Sequence, residues 1–165
     1  MIQSDGIAAP RSDSKSASSE DALARIRALP RPLVFTNGVF DVLHRGHVAY
    51  LEQARALGNA LVVAINSDAS VRRLSKGDGR PFNSLDDRMA VVAGLAAVDL
   101  VVSFDTDTPR DLVVACMPDV LVKGGDYTKE TTAGAAEVIG AGGRFVPIPF
   151  ASTHSTTALV KRIRG

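Results

Sequence analysis

Five short apolar runs, helix-period segments between them, and polar clusters where three of the runs end predict an α/β protein. The expected architecture is a doubly wound, Rossmann-like sheet of about five parallel strands with helices on both faces. The runs are Leu33 to Phe35, Leu61 to Ile65, Leu100 to Phe104, Val120 to Val122 and Phe145 to Ile148. Each is bounded by polar residues or glycine and is rich in Val, Leu, Ile and Phe, the pattern of buried strands. Parallel pairing follows because parallel strands need crossover connections, which the intervening helical segments supply.

The elements follow in order. Residues 1 to 20, MIQSDGIAAPRSDSKSASSE, hold almost nothing that anchors a core, and a disordered tail is expected there, leaving 21 to 165 as one domain. Leu23, Ile26 and Leu29 have the spacing of a short amphipathic helix that Pro30 and Pro32 end. Val48 to Leu57 reads as a helix closed by Gly58, and Leu85 to Val98 as one opened by Ser84. Leu112 to Met117 is opened by Thr108, with Pro109 at the first helical position; Ala133 to Ile139 and Thr156 to Ile163 complete the set.

Composition narrows the class of partner. The chain has 165 residues, 45% of them apolar, which is enough for one core without disulfide or metal staples. Its single cysteine, Cys116, cannot form an internal bridge, and no run has the apolar length of a signal peptide or membrane span. A soluble cytoplasmic protein is expected. The net charge of +1 comes without the basic stripe of a nucleic-acid binder, so small ligands are the expected partners, with no membrane and no nucleic acid.

Ligands of open α/β sheets bind beyond the carboxyl ends of the strands. The first strand exits into Thr36-Asn37-Gly38, the second into Asn66-Ser67-Asp68 and the fourth into Lys123-Gly124-Gly125-Asp126. The stretch from Thr36 through Phe40 and Asp41 to His44-Arg45-Gly46-His47 follows a strand and opens a helix, with two histidines three apart on one side of a turn. Free amides and the dipole at such a helix start favour a phosphate, Gly46 permits close backbone approach, and two imidazoles add donors. A zinc pair and structural capping histidines are the competing readings; zinc is disfavoured because His154 is the one other histidine and no HExxH motif occurs. Neither a P-loop nor a G-x-G-x-x-G fingerprint is present.

The H-x-G-H run resembles the motif of a nucleotidyltransferase superfamily. The series TNGVFDVLHRGHVAYLEQARALG, VVAINSDASVRRL, RPFNSLDDRM, VLVKGGDY and STTALVKRI is similar to that of bacterial heptose-1-phosphate adenylyltransferases, over about residues 31 to 164. The resemblance implies transfer of AMP from ATP to a heptose 1-phosphate, with Mg2+ accompanying the triphosphate and a homo-oligomer of two or more copies. It departs at Thr153 and His154, where the family carries glycine and an aromatic or aliphatic residue. By this resemblance His44, His47 and Lys123 are the catalytic candidates. Thr36, Asn37, Gly38, Phe40, His44, Gly46, His47, Arg88, Ser155, Thr156 and Thr157 would serve the nucleotide.

Asp41, Asn66, Asp68, Arg72, Arg80, Lys123, Gly124 and Asp126 would serve the acceptor. Several of these have plainer readings. Asp41 and Asp68 also suit helix capping, Ser155 suits an N-cap, and Arg88 suits an ion pair with a neighbouring carboxylate. Lys123 follows a buried strand and needs an anionic partner, a phosphate or Asp126. The runner-up activity is cytidylyl transfer to glycerol phosphate or a related alcohol phosphate. A noncatalytic nucleotide sensor is the reading from another class, disfavoured by both histidines and Lys123.

Overall fold

The computed structural model describes residues 8–74, 79–149 and 156–164. Five parallel strands, β1 (Leu33–Gly38), β2 (Ala60–Asn66), β3 (Leu100–Phe104), β4 (Val120–Gly124) and β5 (Arg144–Ile148), form one sheet in the order β3-β2-β1-β4-β5. The chain winds outward from β1 to β3 and then crosses back to β4 on the other side of β1. The order therefore reverses between β1 and β4, and a crevice opens beyond their carboxyl ends.

Alternation along the strands builds two cores. Leu33, Phe35, Ala60, Val62 and Ala64 face one side, where they meet Ile26 of α2 (Ala22–Arg27), Val113 and Cys116 of α6 (Arg110–Cys116) and Val138 of α7 (Ala135–Gly140). Val34, Leu61, Val63 and Ile65 face the other, against Tyr50, Leu51 and Ala54 of α3 (Arg45–Arg55) and Val92 and Ala93 of α5 (Leu85–Ala93). Every residue of β2 is buried, because it lies inside the sheet with both faces covered.

Local chemistry sets the helix ends. Ser84 Oγ accepts the Asp87 amide at 3.2 Å and opens α5, which stops at Ala93 rather than Val98 because Gly94 takes the C-cap. A further helix, α4 (Asp68–Arg73), begins after Ser67, whose Oγ accepts the Ser70 amide at 3.0 Å. The cap is thus Ser67 and not Asp68. Pro109, not Thr108, is the N-cap residue of α6.

The tail expected over residues 1 to 20 is corrected from residue 8 onward. Arg11–Ser14 forms the short helix α1, and the chain after it pairs with β3. The Val101 amide donates to the Lys15 carbonyl at 2.7 Å, and the Ala17 amide donates to the Val101 carbonyl at 3.0 Å. Ala17 is buried, and Lys15 Nζ donates to the Leu95 carbonyl at 3.1 Å. An edge strand presents unpaired backbone groups, and pairing with them needs no apolar side chain. Composition therefore missed it.

Candidate active site

A cavity of about 460 Å³ opens at the β1/β4 reversal, and Asn37, Gly38, Phe40, Lys123 and Gly124 from the two strand exits line it. His47 and Tyr50 of α3 form one wall, Thr156 and Thr157 at the start of α8 (Thr156–Arg164) another, and Arg80 and Tyr127 complete the rim. Lys123 Nζ donates to the Asn37 carbonyl at 3.3 Å and stands 4.9 Å from the centre of the Tyr127 ring. The ammonium is thereby held at the junction of β1 and β4.

The two histidines cap α3 reciprocally. His44 Nδ1 accepts the Gly46 amide at 3.1 Å, and His47 Nδ1 accepts the His44 amide at 3.3 Å. A backbone N–H meets only an unprotonated ring nitrogen, so each neutral ring carries its proton on Nε2. The ring centres lie 4.0 Å apart. Burial, and then the charge of a protonated His44, lower the pKa of His47 to about 4, so it is a neutral donor at pH 7. Directed N–H groups at a positive helix end suit an anion. The spacing of three places both rings in one turn; Gly46 contributes its amide to the cap and does not line the cavity.

Phe40 takes a left-handed conformation, φ 49°, which costs a non-glycine residue about 1 kcal/mol. Its ring is buried and lies 5.4 Å from the His47 ring. A Cβ on Gly38 would sit 2.9 Å from that ring, so glycine is required where the strand passes beneath it.

Several candidates make contacts within the framework. Thr36 is fully buried; its hydroxyl donates to the Val122 carbonyl at 3.0 Å and so accepts from Tyr50 at 2.5 Å, tying β1 to β4 and α3 outside the cavity lining. Arg88 is buried, with its guanidinium donating to Val39, Asn83 and Asp68. Asn66 donates to Ser70 Oγ at 3.0 Å, joining β2 to α4. Arg72 and Asp126 are exposed and outside the lining, and no ion pair links Lys123 to Asp126 among the described residues. Asp41 lines the cavity but spends its carboxylate on the 80–83 loop. Ser155 lies outside the described residues, while Thr156 Oγ1 donates to the Val42 carbonyl at 3.1 Å and seats α8 on the histidine loop.

Tyr50 and Tyr127 were missed. Tyr50 follows His47 by three residues and so shares its helix face, a spacing that marks it in the sequence. Tyr127 ends the KGGDY run after β4. Cys116 is no nucleophile at neutral pH, since burial pushes its thiol up to about 12. Among the described residues no three His, Cys, Asp or Glu side chains cluster as a metal site, and no helix is long and apolar enough to cross a membrane.

Known proteins resemble this chain in sequence and in fold. The chain is 54% identical over 160 residues to D-beta-D-heptose 1-phosphate adenylyltransferase of Bordetella bronchiseptica, covering 96% of this chain and 99% of that one. It is 56% identical over 149 residues to the bifunctional protein HldE of Shewanella denitrificans, covering 88% of this chain but only 31% of that longer protein. The lipopolysaccharide core biosynthesis protein from Thermoplasma volcanium superposes with a TM-score of 0.61 at 25% identity, over 74% of this chain and 98% of that one. A family model described as cytidylyltransferase-like matches residues 35–162, a span that runs from β1 through both histidines and Lys123 into α8. On that match and on near full-length identity above one half, the chain belongs to the cytidylyltransferase-like family.

Proposed function

We propose that this protein is an adenylyltransferase that converts ATP and a heptose 1-phosphate to ADP-heptose and pyrophosphate, a step in the supply of lipopolysaccharide inner-core precursor. The observation that carries the chemistry is the reciprocal cap of His44 and His47, which fixes both imidazoles in the first turn of α3 and sets His47, neutral at pH 7, in the cavity wall where the strand order reverses. The choice of ATP and heptose phosphate rests on the 54% identity to an enzyme named for that reaction.

An oxygen of the sugar phosphate attacks the α-phosphorus of ATP; the new P–O bond forms as the bond to the β-phosphate oxygen breaks, and pyrophosphate leaves. No covalent enzyme intermediate is needed, so positioning and charge stabilisation supply the catalysis. His44 and His47 donate to triphosphate oxygens as charge grows there. Lys123, fixed by the Asn37 carbonyl, offsets the repulsion between donor and acceptor phosphates. Thr157 offers its hydroxyl, and the start of α8 its free amides, while Arg80 faces the cavity as the cation for the acceptor phosphate. Magnesium enters with the triphosphate as part of the substrate.

The reading includes a cytoplasmic homo-oligomer of two or more copies, an expectation from the family resemblance that light scattering tests. The deciding experiment is pyrophosphate release across ATP, CTP and GTP with heptose 1-phosphate, glycerol 3-phosphate and other sugar and alcohol phosphates. ATP with heptose 1-phosphate is expected to give the highest kcat/KM. A higher value for CTP with an alcohol phosphate overturns the assignment.

A further inference from the structure

The geometry points to Asp41 and Arg88 as a pair of positioning residues that stitch the 80–83 loop to the histidine loop and thereby aim Arg80 into the cavity. The two loop segments, 39–41 and 80–83, belong to no helix or strand, so their backbone groups need other partners. Asp41 supplies acceptors. Its carboxylate takes the Phe82 amide at 2.8 and 3.0 Å and the Asn83 amide at 2.9 Å, and pairs with Arg80 Nη1 at 3.4 Å. Arg88 supplies donors, from Nε to the Asn83 carbonyl at 3.1 Å, from Nη1 to the Val39 carbonyl at 2.8 Å, and from Nη2 to Asp68 Oδ1 at 2.6 Å.

Asn83 is gripped from both sides, and its own side chain donates to the Asp41 carbonyl at 2.5 Å. A carboxylate thus holds the amides of the loop while a guanidinium holds its carbonyl, each charge matched to the dipole it meets. Both side chains are almost wholly buried, at 1% exposure for Asp41 and none for Arg88. Arg88 spends a donor from each of its three nitrogens on these contacts and does not line the cavity. The side chain that remains at the cavity is Arg80, 13% exposed, seated between the Asp41 carboxylate and the Phe82 ring 5.0 Å away.

This inference rests on the reading of Arg80 as the acceptor-phosphate cation, and its test separates the two. Asp41→Asn, Arg80→Ala and the double variant are compared with wild type in acceptor KM, kcat and calorimetric ATP affinity. If Asp41 acts through Arg80, each single variant raises acceptor KM by about tenfold or more. The double variant then exceeds Arg80→Ala by no more than about threefold, and ATP affinity of Asp41→Asn stays within about threefold of wild type. Effects that multiply, or an equal loss of ATP affinity, overturn the proposal.

Amide hydrogen exchange at Phe82 and Asn83 gives a readout without turnover: it is expected to accelerate in Asp41→Asn while β2 amides stay protected, and unchanged exchange also overturns the proposal. Should Asp41→Asn fail to fold, Arg88→Lys takes its place in the same cycle, because it keeps a cation but loses the three-way fork. The cycle uses whichever acceptor the substrate matrix identifies. A wrong heptose assignment then appears in the matrix, and a wrong positioning role appears in the cycle.

Discussion

His47 Nδ1 accepts the main-chain amide of His44, a contact of 3.3 Å that decides where the proton of His47 sits. Burial of the ring, and then the neighbouring His44, disfavour a second proton, and the pKa falls from 6.5 to about 4. Above about pH 6.5 the ring is neutral in the folded and the unfolded chain alike. Between about 6.5 and 4 the unfolded chain takes up a proton that the folded chain refuses, so this contribution to stability is lost on acidification. The loss amounts to on the order of 2 kcal/mol once partial solvent exposure is allowed for. Urea unfolding from pH 8 to pH 4 measures it, and an NMR titration in which the His47 ring begins to shift only below about pH 5 identifies the group. A ring that titrates near 6.5 sinks the assignment.

Substitution of either histidine separates capping from catalysis. Each ring contributes one acceptor to the start of α3, and loss of such a cap costs about 1 kcal/mol. Loss of a donor to developing phosphate charge costs about 100- to 1,000-fold in kcat. His44→Ala and His47→Ala are therefore expected to remain folded at 25 °C, with turnover at saturating ATP reduced by that larger factor. Near-normal turnover in either variant removes that histidine from the chemistry.

The segment before α2 carries a stability prediction. Deleting residues 1 to 17 removes two main-chain hydrogen bonds to Val101 and uncovers the edge of β3. At about 1 kcal/mol per bond plus the burial of Ala17, the cost is roughly 2–3 kcal/mol. Thermal unfolding should show a lower Tm, and light scattering should show concentration-dependent self-association through the bared edge. An unchanged Tm would mean that the pairing adds nothing in solution.

Around β4, side chains that line the cavity should matter more than the one that does not. Lys123→Ala is expected to lower kcat/KM by at least about tenfold, and Tyr127→Ala to weaken substrate use because its ring forms part of the rim. Asp126→Ala, whose side chain is exposed outside the lining, should stay within about threefold of wild type. Steady-state pyrophosphate release on all three decides it. A larger loss for Asp126→Ala than for Tyr127→Ala would put a sugar-reading role back on the aspartate.

The sequence by itself determined the five strands, the faces of the major helices and the edge of the sheet that carries the site. Those features rest on periodicity and on caps such as Ser84, which act over a few residues and leave a local trace. It also determined that His44 and His47 share one turn, because a spacing of three settles that without any tertiary contact. The contacts of Asp41, Arg80 and Arg88 were decided only by the tertiary structure. A buried charge takes its meaning from the groups packed around it, and the partners of Arg88 lie 5, 20 and 49 residues away. Thr36 joined the framework for the same reason, since its Val122 acceptor is 86 residues distant. The β3 edge was likewise closed by backbone pairing from Lys15 to Ala17, which leaves no apolar pattern for composition to register.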